Sequence, residues 1–286
     1  MVSLEDYHSD DPIAWCPGCG NFSILEALKN ALVELQKKAS EVVIVSGIGQ
    51  AAKTPHYLRC DTFNGLHGRT LPVATGIKLA NHELTVLAEG GDGDGYTEGG
   101  NHLIHAMRRN IDVTYLVHNN QVYGLTKGQT SPTSEFGYVS KTTPMGSHNP
   151  PMNPLLLAIA SDCGFVARGF AGDIAHLSNL ITDGIEHKGF ALIDILQPCV
   201  SFNRVNTFQW YASRVYKIDD GAGYDPNERT AAFQRAQEWG ERIPIGIIYR
   251  TERLTRDEQE PAIKQVSLVK QGIDQTLFEG MFEVFK

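Results

Sequence analysis

Residues 91–95 read Gly-Asp-Gly-Asp-Gly, directly after the apolar run 84–88. Two carboxylates set among glycines suit a bound cation, and the known loops of that kind can be tested in turn. An EF-hand loop beginning at Asp92 needs an acid or amide at its fifth place and Glu at its twelfth, and these places hold Tyr96 and Leu103. A dinucleotide fingerprint needs a third glycine three residues after Gly93, where Tyr96 stands, and bare carboxylates would repel a pyrophosphate. A divalent cation removes that repulsion by bridging carboxylate and phosphate oxygens. A second half of such a site follows the run 113–117, as His118-Asn119-Asn120-Gln121-Val122. Asp92 and Asn120 are 120 − 92 = 28 residues apart, the length of one strand–helix–strand unit. A carboxylate, an amide oxygen and a backbone carbonyl are hard donors suited to Mg²⁺, with phosphate oxygens and water completing an octahedron.

The second chemical cluster is Cys16-Pro-Gly-Cys19, preceded by Trp15. A thioredoxin motif needs a strand leading into it, and the stretch from Met1 to Trp15 is short and mostly polar. A c-type haem site needs His at position 20, which is Gly20. A metal or cluster site needs two more soft ligands, to be drawn from Cys60, Cys163 and Cys199. Cys163 falls on a helix with Leu155, Leu156, Leu157, Ile159 and Ala160, which marks it as a small core residue.

These residues need elements to position them. Ile24, Leu25, Leu28, Leu32 and Leu35 recur at helical spacing after the cysteine pair. Apolar runs at 42–45, 84–88, 113–117, 165–167 and 190–196 read as strands, and 71–82, 101–109, 154–163 and 174–187 as helices. This alternation predicts an α/β fold: a mainly parallel sheet with helices on both faces, its ligands beyond the carboxyl ends of the strands. Residues 1–204 form the expected domain, with the cysteine pair in an N-terminal segment. Residues 205–286 are expected to be an irregular extension, packed on that domain or on a partner subunit.

Composition sets outer bounds. The chain has 286 residues, 42% hydrophobic, with a formal charge of −8, which argues against a nucleic-acid partner. No apolar run of 18 residues occurs and the start is acidic, so neither a membrane span nor a signal peptide is expected, and the cytoplasm is the expected location. Five cysteines, an odd number, fit metal or redox chemistry better than a disulfide framework.

The Gly-Asp-Gly loop followed one unit later by Asn-Asn resembles the thiamine diphosphate signature. By that resemblance Asp92, Asn120 and the carbonyl of Val122 hold Mg²⁺, and the domain is the diphosphate-type domain of the thiamine diphosphate-binding fold. The likeness then extends along residues 12–250. Cys-Pro-Gly-Cys-Gly (16–20), Ser-Gly-Ile-Gly (46–49), Gly-Leu-His-Gly-Arg (65–69), Gly-Asp-Gly-Asp (91–94), Asn-Asn-Gln-Val-Tyr-Gly-Leu-Thr-Lys-Gly-Gln (119–129) and Pro-Cys-Val-Ser-Phe-Asn (198–203) resemble the beta subunit of 2-oxoacid:ferredoxin oxidoreductases. The resemblance implies oxidative decarboxylation of a 2-oxoacid with coenzyme A, electrons leaving through a 4Fe–4S cluster to ferredoxin. It implies cofactor contacts from Gly47, Ile48, Gly49, His67, Gly91, Asp92, Gly93, Asp94, Asn120, Val122, Gly124, Leu125 and Thr126. His67, Arg69 and Lys127 are the expected catalytic residues, facing diphosphate, substrate carboxylate or coenzyme A.

One position departs from the family. Many members carry a cluster cysteine directly after Gly-Ile-Gly, where this chain has Gln50. Cys60 lies ten residues on, leading into the His67 loop, so the expected thiolates are Cys16, Cys19, Cys60 and Cys199. A cluster with only three cysteines is the rival. The family places the glutamate that activates thiamine on an alpha subunit, so this chain is expected to be inactive alone. The favoured substrate is 2-oxoglutarate, with pyruvate next. A non-redox thiamine carboligase would keep the Gly-Asp-Gly and Asn-Asn pair but have no use for the cysteines, and a structural zinc module would use only the cysteines.

Overall fold

The computed structural model describes residues 1–218, 223–272, 280, 281 and 284. Strand β1 (Val42–Ser46) sends Val43 and Val45 into one hydrophobic core and Val42 and Ile44 into another, and every residue of it is buried. A strand buried on both sides needs helices on both faces of its sheet, and they are present. Helices α1 (Gly20–Glu34) and α5 (Ile174–Glu186) pack together on one face, over Val42, Ile44, Leu87, Leu116 and Ile193. On the other face α2 (Thr70–Ala80), α3 (Gly100–Arg109) and α4 (Pro154–Ala160) cover Val43, Val45, Val86, Val117 and Val166.

The remaining strands are β2 (Asp61–Asn64), β3 (Thr85–Gly91), β4 (Thr114–Asn119), the short hairpin pair β5 (Val122–Tyr123) and β6 (Gln129–Thr130), β7 (Phe165–Phe170), β8 (Ala191–Leu196), β9 (Val215–Lys217) and β10 (Ile243–Arg250). The main sheet has eight strands in the order β2-β1-β3-β4-β8-β7-β10-β9. Its first six strands are parallel, and β10 runs antiparallel to β7. From β1 the chain goes to β2 on one side and then to β3 on the other, so the strand order reverses between β1 and β3. A crevice opens at such a reversal, beyond the carboxyl ends. The loops after β1, β3 and β4 all meet there.

The α/β expectation is met. The stretch from 205 onward is more regular than expected: β10 is mostly buried, packs directly on β7, and carries β9 beside it. Pro244 and Gly246 interrupt the apolar run Ile243–Arg250, which hid a strand of the main sheet from the pattern. Helix α6 (Arg229–Gln237) also joins the core, through Ala232 and Ala236. Among the described residues no helix is long and apolar enough to cross a membrane.

Candidate functional site

Asp92 stands at the end of β3, where the backbone passes into a wide π-type turn (Gly93–Glu98). It is 1% exposed, and its Oδ2 accepts hydrogen bonds from Ser131 Oγ at 2.5 Å and Thr133 Oγ1 at 2.6 Å. Burial outweighs these two donors and raises its pKa to about 6. A carboxyl so placed gains most from a cation, which would replace the hydration it has lost. Asn120, beyond the end of β4, accepts from the Val122 N–H through Oδ1 and fixes the turn that brings Val122 to the same pocket. That pocket is lined by Ile48, Gly49, Gln50, His67, Gly91–Asp94, Asn120 and Val122–Thr126, with Ala51.

Asp94 holds the pocket's frame. Its Oδ1 accepts from the backbone N–H of Ile48 at 3.1 Å and of Gly68 at 2.9 Å, and His67 Nδ1 lies 3.7 Å away. One buried carboxylate therefore ties the β1 and β2–α2 loops to the π turn. The close approach leaves no room for side chains. A Cβ on Gly47 would sit 2.0 Å from Asp94 Oδ2, and one on Gly68, at φ +67°, would sit 2.3 Å from the Glu98 carbonyl carbon. These glycines serve loop approach; Gly47 itself does not line the pocket.

A second pocket adjoins the first and is lined by Cys16, Cys19 and Cys199 with Trp15, Asn21, Gln50, Asn120, Gly124 and Gln197. Gln50, Asn120 and Gly124 belong to both pockets, so a single layer of residues separates the thiols from the carboxylate site. Gln197 Nε2 donates to Cys19 Sγ at 3.4 Å and Ser201 Oγ to Cys16 Sγ at 3.1 Å. Burial, with the other two sulfurs adding, pushes the Cys19 thiol up to about 11. Among the described residues no three His, Cys, Asp or Glu side chains converge closely enough for a single metal ion. Three thiols lining one pocket are soft donors of the kind that hold an iron–sulfur group.

Cys60 does not join them, which corrects its expected place as the fourth thiolate. In the parallel register Asp61 pairs with Val43 and Asn64 with Ser46, so Cys60 lies beside the beginning of β1. It is 64 − 60 = 4 residues short of the carboxyl edge, or about 13 Å at 3.3 Å per residue. Its thiol packs into the core under α1, and burial pushes it up to about 12. Cys163 is fully buried, as expected, its Sγ 3.2 Å from the Phe165 carbonyl oxygen. Two proposed catalytic residues also fall outside the pocket. Arg69 stands at the N-cap of α2 with its Nη1 2.8 Å from His102 Nε2 on α3, and Lys127 is exposed in a turn at φ +80°. Neither lines the pocket, whereas His67 does and is half-exposed. Residues missed from sequence are Ser131 and Thr133, whose hydroxyls hold Asp92 from 39 and 41 residues away. No local pattern marks them.

The donors present fit a divalent cation with a diphosphate at Asp92 and an iron–sulfur group among the thiols; comparisons with known proteins bear on the thiamine diphosphate-binding domain. Residues 41–195 match the C-terminal TPP-binding domain of thiamine pyrophosphate enzymes, and residues 199–265 the C-terminal part of the pyruvate ferredoxin oxidoreductase beta subunit. The chain is 47% identical over 264 residues to a 2-oxoacid:ferredoxin oxidoreductase subunit beta of Saccharolobus solfataricus, covering 88% of this chain and 87% of that protein. It is 48% identical over 199 residues to the 2-oxoglutarate oxidoreductase subunit KorB of Mycobacterium tuberculosis, covering 70% of this chain and 53% of that protein. A solved structure of 2-oxoglutarate:ferredoxin oxidoreductase from Magnetococcus marinus, with 2-oxoglutarate, coenzyme A and succinyl-CoA bound, superposes with a TM-score of 0.91 at 36% identity, over 98% of this chain and 96% of that one. With the TPP-binding domain, the fold and these relatives in agreement, the chain belongs to the family of 2-oxoacid:ferredoxin oxidoreductase beta subunits.

Proposed function

We propose that the chain is the diphosphate-binding and cluster-bearing half of an oxidoreductase that converts 2-oxoglutarate and coenzyme A to succinyl-CoA and carbon dioxide, reducing ferredoxin. The observation that carries this reading is the pair of adjoining pockets, one built on Asp92 and one on three thiols, with a shared wall. When bound, thiamine diphosphate supplies the nucleophilic carbon and electron sink for decarboxylation, and the iron–sulfur cluster supplies single-electron transfer.

The chain's own residues bind and orient. Asp92, Asn120 and the Val122 carbonyl hold Mg²⁺, with Ser131 and Thr133 fixing the carboxylate against rotation. His67, at the rim, donates to anionic oxygens of cofactor or substrate. Leu125 and Thr126 line the same pocket as Ile48 and Gly49. Gln197 and Ser201 donate to the sulfurs, which favours the thiolate form and tunes the cluster's potential. The carboxylate needed on the aminopyrimidine ring comes from an alpha subunit, so the complete site forms at an interface.

The choice of 2-oxoglutarate is supported by the names of the KorB relatives and by the ligands of the Magnetococcus marinus structure. The test is coenzyme A-dependent ferredoxin reduction by the alpha–beta complex over a panel of 2-oxoacids. The highest kcat/KM is expected for 2-oxoglutarate. A higher value for pyruvate would reassign the substrate and leave the cofactor roles standing.

A further inference from the structure

The three-thiol pocket has a fourth side. All five cysteines of the chain are described, and the two outside the pocket are excluded: Cys163 by full burial in the core on the opposite face of the sheet, Cys60 by its place at the amino end of β1. The side chain that remains is Gln50. Its Oε1 is buried and has no hydrogen-bond partner, while its main chain is fixed by Trp15 Nε1, which donates to the Gln50 carbonyl at 2.8 Å. A buried acceptor left unpaired loses its hydration without compensation, so this oxygen is placed for a donor or a cation.

Apart from one oxygen of Gln197, the other side-chain amide and hydroxyl groups of the pocket are engaged. Asn21 Oδ1 is 2.9 Å from His118 Nδ1, Asn120 Oδ1 accepts from Val122, and Ser201 donates to Cys16. Gln197 also has an unpartnered Oε1, but its amide nitrogen donates both to Cys19 Sγ and to the Pro198 carbonyl, which anchors that head on the sulfur.

We infer that the cluster is held by three thiolates, Cys16, Cys19 and Cys199, and that the side-chain amide oxygen of Gln50 caps the fourth iron. This rests on the reading of the thiol pocket as a cluster site. An amide oxygen is a hard, neutral and weak ligand for iron that is otherwise held by sulfur, so the capped iron is the one that leaves. Because Gln50 also lines the Asp92 pocket, the releasable corner faces the thiamine side. A resting 4Fe–4S dication gives one electron to an external oxidant and one ferrous ion to solvent, leaving a 3Fe–4S monocation. Ferrous iron and one electron reverse it.

The experiment uses the anaerobically purified alpha–beta complex, treated with limiting ferricyanide and read by iron analysis and EPR. A quarter of the cluster iron is expected to be lost, with a 3Fe–4S signal that ferrous iron and dithionite abolish. Gln50→Cys should keep all four irons under the same treatment, and Cys60→Ser should behave as the parent. Gln197→Leu should shift the reduction potential without changing iron loss. A parent cluster that keeps its four irons overturns the inference while sparing the cluster reading. So does a Cys60→Ser complex that loses its cluster although its fold, by circular dichroism, is intact. A parent complex without iron or sulfide overturns both. If Gln50→Cys does not assemble, the parent's iron loss alone decides.

Discussion

Asp92 and Asp94 are two residues apart and perform different work. Asp92 faces the pocket with its charge raised in energy by burial, and Asp94 spends its charge on backbone amides of two other loops. Asp92→Asn removes the charge that a metal diphosphate needs. Its thiamine diphosphate affinity with Mg²⁺, measured by calorimetry, should fall on the order of 100-fold with the melting temperature little changed. Thr133→Val removes one of the hydroxyls that orient Asp92 and should weaken cofactor binding about tenfold. Asp94→Ala should instead destabilise the fold by roughly 1–3 kcal/mol, because it leaves the buried N–H of Gly68 and the half-buried N–H of Ile48 unpaired. The carboxylate and the Asn-Asn turn were legible in the sequence because each is a short local pattern at a strand end. Ser131 and Thr133 were not, since nothing but the folded path of the chain brings them to Asp92.

At the scale of elements, register decided what sequence distance could not. Cys60 and His67 are seven residues apart, but β2 lies between them and separates their ends of the sheet. Sequence places both near one loop; only the pairing with β1 tells which end each occupies. The same holds for Arg69, which the start of α2 turns toward α3 rather than into the crevice. Beyond the site, His187 closes α5 with its ring 5.6 Å from Phe165, 5% exposed. Burial, reinforced by Arg250, lowers its pKa to about 4. Because the folded form binds fewer protons than the unfolded one between pH 4 and 6.5, the stability this group contributes is complete above about 6.5. It is lost as pH falls toward 4. Denaturant unfolding at a series of pH values should show this slope in the parent. His187→Gln should lose it, flattening the profile by roughly 2 kcal/mol across that window.

At the scale of the whole molecule, the carboxyl edge of the sheet carries both pockets and several exposed apolar side chains. Leu66 follows β2, Leu125 follows β5, Phe136 and Met145 belong to the loop after β6, and Val200 follows β8. Apolar surface gathered around a cofactor crevice fits a subunit completed by a partner. The eight-stranded sheet was only partly legible in the sequence, because its last strands are short or interrupted by proline and glycine. The two pockets make one prediction that neither makes alone. In the anaerobic alpha–beta complex, 2-oxoglutarate and coenzyme A added without ferredoxin should reduce the cluster, seen as a reduced iron–sulfur EPR signal. The Asp92→Asn complex should retain its iron and show no such signal. A parent cluster that stays oxidised with substrate present, or an Asp92→Asn cluster reduced as fully as the parent's, would contradict the joining of the two pockets in one reaction.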